Sequence, residues 1–397
     1  MNIFFIPSWY PSKNNPHSGL FIKEQALAIA ENIPEVKVII SLWGNEGTKI
    51  NFEKPLEVLP HLLNRWQDMP FQKKIGKNTW EYNTPALEWS ARFFSGNIKR
   101  ILKANLINFK KALDNVGPID IIHAHVGFPS GFIAMKLATA YHLPYVITEH
   151  MGPFPNPPFS TNRKLLELVT GPLRKANQVV AVSPALKSEI AKYKIDSVVI
   201  PNMVEPSFFK LKFRQPGHNF VFFTLAEICP EKGIEDLIRA IKIVTKQTRN
   251  FSFHIGGKGK YLKKYQRLAK SLQIDDKIIW LGFLTRKRVV EEMQNCQAFV
   301  LPSYHESFGM VFAEALAAGK PVIGTRAGGP EAFISHNNGI LVPVGRVDLI
   351  AKAMVKMKDY IDVYLPVEIR RSVINKFSSQ AVSKQLFEIY QKIIKRF

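Results

Sequence analysis

Residues 301–333, LPSYHESFGMVFAEALAAGKPVIGTRAGGPEAF, gather the side chains best suited to a ligand carrying both phosphate and hydroxyl groups. An apolar run ends at Leu301, a polar turn follows, and a helix is expected to begin near Phe308. The backbone N–H groups of Gly309, Met310 and Val311 then fall in its first turn, where no intrahelical acceptor exists. Such a terminus accommodates a diphosphate without any lysine. Glu306 precedes this helix and Glu314 lies within it, about 12 Å further on if the whole interval were helical. Carboxylates accept hydrogen bonds from paired hydroxyls and repel phosphate, so the two glutamates suit the hydroxyl-bearing ends of a ligand whose middle is phosphate. The small, apolar sequence AEALAAG around Glu314 argues against an ordinary wet helix face.

Other candidates flank other apolar runs. In AEICPEKGIEDLIRA, residues 226–240, Lys232 and Gly233 open a helix and offer a mobile ammonium to a departing diphosphate. In SWYPSKNNPHSGLFIKEQA, Gly19 stands at a helix opening after an unusually long loop and permits close approach of a ligand. IIHAHVG places His123 and His125 two residues apart at the end of a run, and His150 closes the next, VITEH. A two-histidine metal site would need further cysteine or carboxylate ligands at suitable spacing, and none accompanies this pair. An imidazole that binds or relays a proton from an acceptor hydroxyl is the better reading, while any of the three can also be a satisfied structural residue, an even choice for His123 and His150.

Positioning these groups requires alternating strands and helices. In the first half, strands are expected at 2–6, 36–41, 119–123, 144–148, 178–182 and 197–200, with helices at 20–31, 129–140 and 184–193. Ser183 followed by Pro184 is a good start signal for the last of these. The second half repeats the pattern, with strands near 219–225, 251–256, 277–280, 297–301 and 321–323. Its helices are expected near 233–245, 260–273, 286–294, 308–318 and 346–356. This rhythm predicts an α/β protein with parallel sheets covered on both faces. Domains are expected at 1–205 and 206–375, with a last helix near 376–395 packing back onto the first domain. Two doubly wound domains facing a central cleft would receive ligands at the carboxyl ends of their strands. The rhythm breaks at 60–115, where no convincing βαβ unit is visible.

Composition narrows the class further. The 397 residues include 54 Lys plus Arg against 32 Asp plus Glu, a net charge of +22. A chain of this length exceeds what one hydrophobic core usually serves. Only Cys229 and Cys296 are present, which excludes a disulfide scaffold and fits a reducing compartment. No apolar run reaches a membrane-spanning length, and Met1 to Pro7 lacks the features of a secretory leader, so a cytoplasmic protein is expected. The surplus charge favours an anionic partner or surface, or reflects a generally basic proteome. Between Arg65 and Lys111 ten basic residues face three acidic ones. Within this region Phe94, Ile98, Ile101, Leu102, Leu106, Phe109 and Leu113 recur at helical spacing, giving an amphipathic helix over 90–113. Its basic face is either solvated or meets anionic lipid or an anionic acceptor, the latter reading helped by Leu62, Leu63, Trp66, Met69 and Phe71. No helix-turn-helix, zinc-finger or RNP signature organises the charge for nucleic acid.

Across almost its whole length the chain resembles the retaining glycosyltransferases of family 4, with the GT-B fold. The likeness lies in GLFIKEQA, IIHAH, VVAVSPALKSEI, VIPNMVEPSFF, PEKG, IIWLGFL, the 301–333 block and NNGILV, in the family's order. The PSWYP…GLFIKEQA opening is similar to bacterial members that assemble surface polysaccharides. The resemblance implies transfer of a hexosyl-type sugar from a nucleoside-diphosphate sugar to a glycan or lipid-linked acceptor, with no cofactor and no metal. It assigns Glu314 to the donor ribose, Glu306 to the transferred sugar, and the amides of Phe308, Gly309, Met310 and Val311 to phosphate and sugar. Lys232 corresponds to the diphosphate-binding lysine, His125 to the histidine beside the donor sugar, and Gly19 to the glycine that approaches the phosphates. Many members add an arginine shortly before the lysine; here Ala226 or Glu227 occupies that position. A GT-B epimerase of nucleotide sugars, or less readily a nucleic-acid-binding protein, is the competing reading.

Overall fold

The computed structural model describes residues 1–12, 15–44, 49–50, 69–89, 94–157, 159–212 and 219–397; for residues 49, 50, 89, 94 and 95 only the backbone is described. The contact pattern divides the chain into two compact units. The first comprises Met1–Val182, Leu186–Met203 and Ser379–Phe397, and the second Ser183–Ala185 with Val204–Ser378.

The first unit is built on a sheet whose strands are β1 (Asn2–Pro7), β2 (Lys37–Leu42), β4 (Phe71–Gly76), β5 (Thr79–Asn83), β7 (Ile121–His125), β8 (Tyr145–Glu149), β9 (Gln178–Ala181) and β10 (Val198–Val199). Two short segments, β3 (Lys49–Ile50) and β6 (Glu88–Trp89), pair separately. The sheet order is β10-β9-β8-β7-β1-β2-β5-β4, parallel except for β4 against β5. Ile3, Phe4, Phe5 and Ile6 of β1 are fully buried, as a central strand covered on both faces requires. Its helices are α1 (Leu20–Asn32), α2 (Ile98–Val116), α3 (Phe132–Tyr141), α4 (Arg163–Lys175) and, from Leu186 onward, α5 (Pro184–Ala191).

The expectation for 60–115 is corrected here. Strand β5 pairs in parallel with β2, and α2 then leads to β7, a βαβ crossover in the stretch where none was expected. Lys73, Lys74 and Gln72 hid the strand β4, which is polar because it lies exposed at the sheet edge. Helix α2 begins at Ile98, not residue 90, and the expectations resting on Leu62, Leu63, Arg65, Trp66 and Arg92 lie outside the described residues. Helix α4 was also missed. Pro172 inside it breaks the apparent pattern, while Asn162 caps its start by accepting from the N–H groups of Lys164 and Leu165.

The second unit carries β11 (Phe220–Leu225), β12 (Phe251–Gly256), β13 (Ile278–Gly282), β14 (Ala298–Leu301), β15 (Val322–Thr325) and β16 (Gly339–Val342). They form one parallel sheet in the order β13-β12-β11-β14-β15-β16. Between and after them run α6 (Ile234–Val244), α7 (Leu262–Ser271), α8 (Arg286–Asn295), α9 (Met310–Ala317), α10 (Val347–Asp359) and α11 (Pro366–Phe377). After α11, extended backbone at Ser378 separates it from α12 (Ser379–Ile394). Val382, Leu386 and Tyr390 of α12 join Ile22, Ala26 and Ile29 of α1 in the core of the first unit.

Candidate functional site

Both sheets have a topological switch point, where successive crossovers diverge and a crevice opens beyond the strand ends. In the second unit it lies between β11 and β14; in the first it lies between β1 and β7. Lys232 follows β11 and Glu306 follows β14, while the loop to Gly19 follows β1 and His125 ends β7 opposite Pro7.

At the switch point of the second unit, Lys232 Nζ donates to Glu306 Oε1 at 2.6 Å, and Ser303 Oγ donates to the same oxygen at 2.8 Å. The Glu306 backbone is clamped by the GGPE turn: its N–H donates to the Ala327 carbonyl at 2.8 Å, and its carbonyl accepts from Gly329 N–H at 2.7 Å. A side chain at Gly329 could not enter, because a Cβ would lie 2.5 Å from Phe308 Cα. That turn looks ordinary in sequence, yet it holds a candidate site residue in place.

Helix α9 begins at Met310, two residues later than expected, because Gly309 caps it with φ 91° in the left-handed region. The Gly309 carbonyl accepts from Phe312 at 3.0 Å and from Ala313 at 3.3 Å, so the amides of Met310 and Val311 precede the first intrahelical bond. Phe308 itself is buried against Phe333 and Phe377. Glu314, buried on α9, is engaged by the guanidinium of Arg286, which heads α8 after β13 and packs over Phe208 and Phe209. Sequence reasoning missed Arg286 and Ser303; their signal was position, immediately beyond the ends of β13 and β14.

In the first unit, Gly19 caps α1 with φ 60°, and a Cβ there would sit 2.2 Å from the Trp9 carbonyl oxygen. This close approach is to the chain's own loop. Tyr10 in that loop donates to Glu81, which also pairs with Lys23 at 2.8 Å, so the opening motif is tied down across β5.

Three histidines stack beside β1. His123 is satisfied at both nitrogens: Nε2 lies 2.8 Å from Thr148 Oγ1 and Nδ1 lies 2.6 Å from the Tyr390 hydroxyl. His125 Nδ1 lies 3.0 Å from His150 Nε2, and its own Nε2 is buried without a partner. Burial, reinforced by neighbouring histidines, holds His125 well below the ordinary imidazole range; burial pulls His123 and His150 down to about 3. At the end of β8, just before His150, the fully buried Glu149 carboxylate accepts from the N–H groups of Gly127, His150 and Met151 at 2.8–2.9 Å. Burial nevertheless raises its pKa to about 6. Among the described residues no group of three His, Cys, Asp or Glu is placed to hold a metal ion, and no helix is long and apolar enough to cross a membrane.

Comparison with known proteins agrees with this architecture. Residues 207–360 match the model of the glycosyl transferases group 1, and residues 73–208 match that of glycosyltransferase family 4. An uncharacterised glycosyltransferase of Methanocaldococcus jannaschii is 31% identical over 292 residues, covering 71% of this chain and 78% of the relative. The chain therefore belongs to the group 1 glycosyl transferases, and its fold is GT-B. A Bacillus subtilis glycosyltransferase provisionally assigned to teichuronic acid biosynthesis is 25% identical over 100% of this chain and 99% of its own. The structure of Anabaena HepE, solved in complex with UDP-glucose, aligns with a TM-score of 0.70 at 17% identity over 99% of this chain and all of HepE.

Proposed function

We propose that this glycosyltransferase moves a hexosyl-type sugar from a nucleoside-diphosphate sugar to a hydroxyl of a glycan or lipid-linked acceptor, in bacterial surface polysaccharide synthesis. Transfer retains the anomeric configuration and needs no metal or other cofactor. The observation that carries this reading is the meeting of Lys232, Glu306 and the amide end of α9 at one switch point. The diphosphate takes the Met310 and Val311 amides and draws on Lys232, which has three donors to share. Glu306 then accepts from hydroxyls of the transferred sugar, and Glu314, oriented by Arg286, accepts from the ribose. As the bond to the leaving diphosphate breaks, the lysine and amides stabilise the growing negative charge. By the family resemblance, His125 is assigned to the donor sugar and acceptor and Gly19 to the phosphates. Retention rests on the family resemblance, and the polysaccharide setting on the teichuronic acid relative. The basic face of α2 is assigned to an anionic membrane surface at the cytoplasmic side, where a lipid-linked acceptor would reside.

The test is a panel of labelled nucleotide sugars incubated with the host's membrane lipid fraction, followed by determination of the product linkage. Transfer with a retained linkage, undiminished by EDTA, is expected. An inverted linkage, or loss in EDTA reversed by Mg²⁺ or Mn²⁺, overturns the corresponding claim. Sugar interconversion without any acceptor points to the epimerase instead.

A further inference from the structure

Glu314 and Arg286 are carried by separate helices, and the supports of both converge on one side chain of α11, Arg370. Glu314 lies in the last turn of α9, where the final carbonyls have no partner within the helix. The carbonyls of Glu314, Ala315 and Leu316 accept from the N–H groups of Ala318, Lys320 and Gly319. The carbonyl of the buried Ala317 accepts instead from Nη1 of Arg370 at 2.8 Å. Arg286, for its part, rests on the rings of Phe208 and Phe209, 5.5 and 5.4 Å from their centroids. The turn that carries those rings is held by the same guanidinium. Nη1 of Arg370 also donates to the Phe209 carbonyl, and Nη2 donates to the Pro206 carbonyl at 2.9 Å. A helix cap alone would use one of these acceptors; Arg370 takes three, from two segments distant in sequence.

We propose that Arg370 is a positioning residue of the donor-nucleotide site. Its fork holds the end of α9 and the aromatic shelf of Phe208 and Phe209 in one frame, so that Arg286 meets the Glu314 carboxylate in a fixed orientation. A planar guanidinium offers donors in set directions and spans the three carbonyls together, which the point charge of an ammonium does not. Arg370 itself needs no contact with substrate. The effect on nucleotide binding rests on the proposed function of Glu314; the coupling of Arg370 to the Arg286–Glu314 pair does not.

Two readouts keep these apart. In the ligand-free, ¹⁵N-arginine-labelled full chain, the side-chain resonances of Arg286, assigned by Arg286→Lys, report its pairing with Glu314. They should move in Arg370→Lys as they do in Glu314→Gln; resonances of Arg286 unchanged by Arg370→Lys overturn the proposal. Calorimetry with UDP, GDP and ADP reads the consequence for binding. For the nucleotide that binds, Arg370→Lys should raise Kd by about five- to tenfold, but by less than about twofold in a Glu314→Gln background, because members of one network do not act additively. A residue that only supports the fold would act equally in both backgrounds. An equal rise in both, or no rise where Glu314→Gln alone weakens binding, therefore overturns the positioning role. Should Arg370→Lys fail to fold, Phe208→Ala carries the same test at a half-exposed position outside the core. Weaker binding that disappears in the Glu314→Gln background is expected, and unchanged Kd with unchanged Arg286 resonances overturns the proposal. If Arg370→Lys moves the Arg286 resonances while neither it nor Glu314→Gln alters nucleotide affinity, the coupling stands and the donor role of Glu314 falls.

Discussion

Lys232 and Glu306 stand 74 residues apart in sequence and 2.6 Å apart in space, an ion pair built across the switch point of the second sheet. Both side chains are mostly buried, so neither can lose its partner cheaply. On the proposed reading Lys232 keeps Glu306 as one partner while its other donors meet the diphosphate, which would make the pair part of the binding process. Lys232→Met and Glu306→Gln should each lower kcat/KM by about 100-fold or more. The double variant should cost less than the sum of the two, with a coupling of about 1–3 kcal/mol in denaturant unfolding. Additive effects in stability would show that the pair does not act as a unit.

A different pairing holds Glu314, where Arg286 meets the carboxylate from the head of α8. Glu314→Gln keeps the size but removes the charged acceptor for two hydroxyls, worth about 1.5–3 kcal/mol, or roughly ten- to hundredfold in Kd. Calorimetry with the free nucleoside diphosphate reads this directly. Unchanged affinity in a folded variant removes Glu314 from the ribose.

Much of this was legible because chemistry and rhythm coincide in the sequence. Buried parallel strands such as IFFIP and VIISL are continuous apolar runs, and the loops after them carry Gly19, Lys232 and Glu306. What escaped was whatever depends on contacts between distant segments. Strand β4 reads as a polar loop because an edge strand needs no apolar face, and β16 was too short to register. Arg286 and Tyr390 look like ordinary helix residues until the fold brings them to Glu314 and His123. The even choice between a structural and a functional His123 was equally beyond sequence, since its two partners come from β8 and from the last helix.

The histidines should separate cleanly in mutants. Tyr390→Phe strands a buried ring nitrogen of His123 and should cost about 1–3 kcal/mol of stability, read as a lower urea midpoint, with turnover changed less than threefold. His125→Ala should instead leave nucleotide affinity nearly intact and lower turnover about 100-fold or more. A turnover loss under threefold in stable His125→Ala would make His125 a structural residue like its neighbour.

Acid should destabilise the first unit. His123 and His150 are pulled from 6.5 to about 3 by burial, and His125 is well below 6.5, so below about pH 6.5 the unfolded chain takes up protons that the folded chain refuses. Their stabilising contribution is complete above 6.5 and is lost as pH falls, by about 1.4 kcal/mol per pH unit for each group. Glu149 works in the other sense: raised from 4.5 to about 6, it favours the fold at low pH and loses that contribution as pH rises through 6. Three histidines outweigh one glutamate, so the urea midpoint should fall between pH 7 and pH 5. A flat midpoint over that interval would mean the histidines are not buried neutral.

The membrane assignment turns on what α2 does with its two faces. Ile98, Ile101, Asn105, Asn108, Phe109 and Ala112 are buried in the first unit, so the apolar stripe that suggested lipid insertion is consumed by the core. Asn105 and Asn108 are bonded to Ser41, and Asn108 also to the Leu42 and Tyr82 carbonyls, which fixes the helix against β2 and β5. Lys99, Arg100, Lys103, Lys110 and Lys111 remain exposed on the other face. Apolar insertion would then have to come from the edge strand, where Met69 is 70% and Phe71 44% exposed; a 3.1 Å bond from Asn115 to Gln72 joins this strand to the end of α2. Electrostatic attraction to anionic lipid adds up to about 1 kcal/mol per basic residue and weakens as salt shortens its reach. Vesicle sedimentation should therefore show binding to anionic but not neutral lipid at low salt, reduced at high salt. Replacing the five basic residues by Gln should abolish it, and Met69→Ser with Phe71→Ser should weaken it without changing the salt slope. If the five-Gln variant binds as wild type does, or wild type fails to bind at low salt, α2 is not the membrane contact and its lysines are simply solvated.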